Sequence, residues 1–231
     1  GLDVRGREER VKAVRRDLAE LLAGWPSDVR DRHLARLPAG YLLANDLTHL
    51  QRHAEIVADA ERLEQPLGLN VQVLEDMDVT EVTVVTTDHP GLFSRLAGAL
   101  AVCGATIVDA EIATLNDGLA LDVFTVQDID GGAFRSSAKT ARLSVRIDQV
   151  LAGKVKPLEE LEKRRSHLHS RPALCLLPPR VMIDNDASNT HTVVDVNGRD
   201  RPGPLYAIPA YPCNPGRPIS TANDTHRPQP V

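Results

Sequence analysis

The sequence predicts an α+β fold with a helical segment in front and a Pro-rich segment behind. Three observations predict it. Residues 81–87 are a run of β-formers that ends at Asp88-His89-Pro90-Gly91 and passes directly into an amphipathic helix carrying Leu92, Phe93, Leu96, Leu100 and Cys103. Asn116-Asp117-Gly118 is a hairpin signal between two β-rich runs. From 81 to 152 the apolar period switches between that of a strand and that of a helix in the order β-α-β-β-α, and one more strand completes a split βαβ, ferredoxin-like βαββαβ unit.

Taken in order, residues 7–24 read as a helix with Val11, Val14, Leu18, Leu21 and Leu22 in one stripe, stopped by Pro26. Residues 48–63 read as a second helix with Leu50, Ala54, Val57 and Ala58 on one side, ended by Pro66. Residues 69–76 alternate weakly, as a strand would. Within the ferredoxin-like segment, residues 106–114 form a strand with Val108, Ala110 and Ile112 on one face, and Leu119–Val126 returns from the turn. Gly131-Gly132 breaks the chain, and 137–152 is a helix with Leu143, Ile147, Val150 and Leu151 inward. The candidate closing strand is Val181-Met182-Ile183, after an insertion that is first charged (154–165) and then Pro-bearing.

Thr192–Val196 is again β-rich and leads to Asp200-Arg201-Pro202-Gly203, a damaged copy of the first Pro-Gly turn. Beyond Tyr206 the pattern collapses. Pro209, Pro212, Pro215 and Pro218 fall every third residue, so no helix can run through them and polyproline II is the local expectation. The expected organisation is a helical region at 1–66, a ferredoxin-like domain at 67–191 with an inserted linker at about 153–180, the start of a truncated second unit at 192–206, and a disordered tail at 207–231.

Composition narrows the function classes. With a net charge of −5, one Trp, three Tyr and three Phe in 231 residues, neither a basic surface nor a stacking platform for nucleic acid is expected. No apolar run reaches the roughly 20 residues of a membrane helix. Three widely spaced cysteines (Cys103, Cys175, Cys213) read as reduced thiols in a cytoplasmic protein. The chain starts at Gly1 rather than Met and reads as part of something longer.

The Asp88–Phe93 turn reads two ways. A Pro-Gly turn at a helix N-terminus presents backbone N–H groups that suit the carboxylate of a small ligand, with Asp88 for an ammonium. Alternatively Asp88 caps a purely structural turn. His49 and His53 are four apart on a helix, which is metal-ligand spacing, but no acidic residue completes a metal motif. Asp128/Asp130 and Asp184/Asp186 are paired carboxylates in turn surroundings, with no phosphate-cradling loop before either.

Together these residues resemble a known family. Glu81–Val84 through Gly91-Leu92-Phe93, then Gly104–Ala110, then Asp117-Gly118 with Leu121–Phe124, are similar to an ACT domain. Gln127-Asp128 with Gly131–Phe134, Pro179–Asn185 with Ala187–Asn189, Val196–Gly203, and Leu37–Tyr41 narrow the likeness to the C-terminal region of bacterial PII uridylyltransferase/uridylyl-removing enzymes.

That resemblance implies a bifunctional enzyme of nitrogen regulation, which adds UMP to the PII protein when glutamine is low and removes it when glutamine is high. It implies Mg for the full-length enzyme and no cofactor in this chain, whose catalytic set is none: the Gly-Ser loop and His-Asp pair of the catalytic domains are absent. It implies glutamine as effector, self-association through ACT domains, and ligand contacts at Thr86, Asp88, Gly91, Leu92 and Thr106, with Asp200 and Gly203 in the second turn. Pro204 stands where the family carries Leu, and the divergence after it reads as a change of reading frame, leaving the second ACT unit incomplete. The alternative is a free-standing ACT-type amino-acid-binding regulator.

Overall fold

A computed structural model describes residues 2–167, 180–184, 192–197 and 219–224, with side chains described from 4 to 163. Contacts divide the chain into two compact units, Gly1–Leu69 with Thr83–Asp88 and Ala113–Leu121, and Asn70–Val82 with His89–Ile112 and Asp122–Val231.

The first unit contains α1 (Leu2–Leu21), α2 (Ser27–Arg36), α3 (Ala39–Ala44) and α4 (Leu47–Arg62). α1 and α4 are the two expected helices. In the α1 stripe, Leu18 and Leu22 are fully buried while Leu21 is exposed. Leu42, Leu50, Ala54 and Val57 complete the apolar interior. Asp46 caps α4 by accepting the His49 N–H at 2.9 Å, which satisfies one of the orphan donors of a helix start.

α2 and α3 were not expected from periodicity. In α2 only Val29, Leu34 and Ala35 are apolar among ten residues, so propensity alone does not hold it. Its end is held by Arg15 of α1, whose guanidinium donates to the carbonyls of Leu34 and, at 3.0 Å, Leu37. A cation on the last carbonyls of a helix also favours the macrodipole.

The strands are β1 (Leu67–Leu74), β2 (Val79–Thr87), β3 (Ala105–Thr114), β4 (Leu119–Asp128), β5 (Arg180–Asp184), β6 (Thr192–Asn197) and β7 (Ile219–Asp224). Their order in the sheet is β1-β2-β4-β3-β7-β6-β5. α5 (Leu92–Val102) and α6 (Ser137–Leu151) pack together in the second unit, and α7 (Pro157–His167) also contacts α5. The expected hairpin of β3 and β4 is present: Gly118 N–H donates to Leu115 O at 2.9 Å and Leu115 N–H to Leu119 O at 2.7 Å. The fold class is the expected one: β1 to β4 make a four-stranded antiparallel sheet with helices, preceded by helices, and β7, β6 and β5 continue the sheet beyond β3.

The structure differs from the sequence reading in several details. The fourth place beside β2 is taken by β1, not by 181–183. β1 is joined to β2 by only four residues, so that pairing closes a short loop, whereas residues 180–184 follow an insertion of nearly thirty residues. β5 instead pairs antiparallel with β6, Val181 opposite Val196.

Within the segment expected to be a disordered tail (207–231), Ile219–Asp224 forms β7. It pairs antiparallel with β3 (Ala110 opposite Ala222) and parallel with β6 (Val194 opposite Ala222). The six residues contain no Pro and include Ile219 and Thr221, so nothing forbids a strand, and the edge of β3 offers unpaired backbone groups. The rest of 207–231 lies outside the described residues.

On β3 the buried side chains are Ala105, Ile107 and Ala110, so the buried face changes parity along the strand instead of following Val108, Ala110 and Ile112. The charged stretch expected as an insertion holds α7.

Gly132 shows why the Gly-Gly break is needed. Its φ is +76°, and a Cβ there would lie 2.8 Å from the Asp78 carboxylate, which accepts the Ala133 N–H at 3.0 Å and pairs with Arg135 at 2.6 Å. Those two partners, the N–H first, hold the Asp78 carboxyl below its usual range. Asp128 belongs to the same turn. Its N–H donates to Gly132 O at 2.8 Å and its side chain pairs with Lys139, so this carboxylate ties the turn to α6.

Candidate functional site

The turn at 88–92 is built by its own sequence. Proline presets φ at the second position of a type II turn, and the third position needs positive φ. Gly91 supplies it with φ +82° and ψ 5°, and Leu92 N–H donates to His89 O at 3.1 Å. Gly91 is also the N-cap of α5: its carbonyl accepts from Arg95 N–H at 3.1 Å, and no side chain caps the helix. The first-turn donors of α5 therefore lack a side-chain acceptor, which is the arrangement an anion uses.

Five of the expected contact residues have a definite place. In the first unit, Thr86 hydroxyl donates to Pro66 O at 2.9 Å and borders a recess of about 110 Å³ together with Val57, Ala60, Pro66, Val85 and Leu119. Asp88 is exposed. Its carboxylate accepts from the Thr114 hydroxyl at 3.0 Å, and its N–H donates to Gly118 O at 3.0 Å. In the second unit, Gly91 shapes the turn, the Leu92 side chain is 3% exposed and belongs to the core, and Thr106 is half-buried on β3. Asp200 and Gly203 lie outside the described residues.

Two points differ from the simplest picture of the site. Leu92 N–H is engaged within the turn, so a carboxylate reaching it competes with His89 O. Asp88 does not cap α5; it anchors to the β3–β4 turn. Thr114 was missed by sequence reading, because its role depends on a contact 26 residues away and no local motif marks it.

The two histidines with metal-ligand spacing have protein partners. His49 pairs with Asp46 at 2.8 Å, and His53 is hydrogen-bonded to the Tyr41 hydroxyl at 2.8 Å. Among the described residues no group of three or more His, Cys, Asp or Glu side chains comes together. Nor is any helix among them long and apolar enough to cross a membrane.

Replacing Gly91 tests the turn directly. A Cβ at Gly91 meets nothing within 4 Å, so the whole cost is backbone strain at positive φ. Gly91→Ala should lose about 1 kcal/mol in urea unfolding, and an unchanged midpoint would mean the turn adopts another conformation.

Residues 81–127 match the ACT domain model. Over 209 residues, 90% of this chain, the sequence is 51% identical to the bifunctional uridylyltransferase/uridylyl-removing enzyme of Azospirillum brasilense. Identity is 45% over 212 residues with the enzyme of that name from Rhodospirillum rubrum, and 41% over 227 residues with that from Gluconobacter oxydans. The matched part is 22% of the first two relatives and 24% of the third, so the chain spans about a quarter or less of their length. No solved structure matches.

Proposed function

We propose that this chain, which carries an ACT domain and matches the C-terminal region of bifunctional uridylyltransferase/uridylyl-removing enzymes, is the amino-acid-sensing regulatory part of such an enzyme, with glutamine as the effector. In this reading the chemistry on the PII protein belongs to other parts of a longer cytoplasmic polypeptide, and the segment described here reports glutamine to them. Association between ACT domains is part of the same proposal.

The observation that carries the reading is the type II turn at His89–Leu92, inside the matched residues 81–127, with an uncapped helix start behind it. The ligand carboxylate takes backbone N–H groups of Gly91 and the first turn of α5, including Leu92 N–H in exchange for its bond to His89 O. Asp88 takes the ammonium. Thr86 and Thr106 supply hydroxyl contacts, and Asp200 with Gly203 repeat the arrangement at the second turn.

Calorimetric titration of the whole chain with glutamine tests this. Binding is expected, and Asp88→Ala should weaken it by roughly 1–3 kcal/mol, the range for losing a hydrogen bond to a charged group. Unchanged affinity removes Asp88 from the site; no binding by the unsubstituted chain defeats the reading.

A further inference from the structure

We propose that Arg36 and the Asn116-Asp117 turn form a latch that passes the state of Asp88 to helices α2 and α4. Its significance for regulation rests on the amino-acid-sensing reading above, but the latch itself stands on contacts within the first unit.

Asp88 is tied to both ends of the hairpin turn. Its N–H donates to Gly118 O at 3.0 Å, and its carboxylate accepts from Thr114 at 3.0 Å. The tip of the turn is tied in its turn to the end of α2. Asn116 N–H donates to Arg36 O at 2.8 Å, and its side-chain amide donates to Ala35 O at 3.2 Å. Asn116 thereby satisfies two carbonyls that a helix end leaves open.

The Arg36 side chain completes the connection. Only 5% exposed, it reaches Asp117 through Nε at 3.0 Å and Glu61 of α4 through Nη2 at 2.7 Å. The Asp117 contact is an ion pair whose N–H points off the line, while the Glu61 contact has hydrogen-bond geometry. Arg32 adds a second cation 3.8 Å from Glu61. One planar guanidinium thus joins a β-turn, a helix end and a second helix, which a flexible ammonium would not do as well.

Arg36 Nη1 has no hydrogen-bond partner among the described residues. A device of this kind needs two arrangements of similar free energy. A ligand ammonium taken by Asp88 pulls on the carboxylate that accepts from the Thr114 hydroxyl. It loosens the hold on the turn, and with it the hold on α2.

Amide hydrogen exchange on the full chain, without ligand, tests the latch. Asp88→Ala should speed exchange of the Asn116 amide and of the α2 amides at least fivefold, leaving α6 unchanged. In an Arg36→Met background, where the latch is already open, Asp88→Ala should add less than twofold. Arg36→Lys, which keeps the charge but not the fork, replaces Arg36→Met should that variant fail to fold. The proposal is overturned if Asp88→Ala leaves α2 exchange within twofold, or if the two substitutions multiply independently. Addition of glutamine to the unsubstituted chain is a separate arm. If glutamine binds and α2 exchange is unmoved, the latch fails while the sensing reading stands; if glutamine does not bind, the sensing reading fails and the ligand-free arms still decide the latch.

Discussion

Lowering the pH from 7.5 to 5 should strip roughly 4 kcal/mol from the stability of the helical unit, about 2 kcal/mol for each of two buried histidines. His33 is 4% and His53 1% exposed, and burial, the largest cause in both, pushes each imidazole down to about 4. The Arg36 charge adds to this at His33, against Glu61 and Asp117, which pull the other way. At His53 the Arg52 and His49 charges add to it, against Asp46. The sign follows from which state holds the proton. The unfolded chain takes one at each histidine near pH 6.5, and the folded unit refuses it until about pH 4. Stability is therefore complete above 6.5 and is lost as pH falls between those values.

Carboxylates held low by their partners, such as Asp46 and Asp78, lose their contribution only below the usual carboxylate range. Asp109, raised by burial, acts in the opposite sense. The interval from 6.5 to 5 thus belongs to the histidines. Trp25, the chain's single Trp, lies in this unit with its ring 6.2 Å from that of His33, so its fluorescence reports the transition in urea. The urea midpoint should fall steeply over this interval, and His33→Gln with His53→Gln should flatten the profile. A midpoint equal at pH 7.5 and 5 would mean that the imidazoles are protonated in the folded state.

What could be read from the sequence was what is decided locally. Pro90-Gly91 dictates its turn through the φ values of two residues, and Asn116-Asp117-Gly118 dictates its hairpin in the same way. The stripes of α1 and α4 have enough apolar residues at helical spacing to declare themselves. α2 does not, because its three apolar residues are too few, and its end depends on Arg15 and Asn116 from elsewhere in the chain. The fourth strand of the sheet was misassigned because two segments have similar β character and periodicity does not choose between them; loop length does. Of the candidate site, the turn at His89–Leu92 was legible. The ties from Asp88 to Thr114 and from Asn116 to Ala35 join residues 26 and 81 positions apart, a separation at which one sequence carries no pairing signal.

Phe124→Ala should be the most damaging single truncation in the second unit, at roughly 3–5 kcal/mol. The chain has only three Phe, so each carries a large part of the apolar area that its surroundings bury. Phe124 on β4 is completely buried and stacks on Phe93, with ring centroids 5.9 Å apart and planes at 25°. Removing the ring leaves a cavity and also ends a contact that seats the first turn of α5. Phe124→Leu keeps most of the volume and should cost under about 1.5 kcal/mol. The two variants therefore separate loss of the core from loss of the stack. Thermal unfolding followed by circular dichroism should show a large fall for Ala and a small one for Leu. Because Phe93 comes two residues after Gly91, the glutamine site proposed above predicts weaker binding in the Leu variant while it is still folded. Equal melting temperatures for Phe124→Ala and the unsubstituted chain would show that Phe124 is not at the centre of this core. Full glutamine affinity in Phe124→Leu would show that the stack does not position the turn.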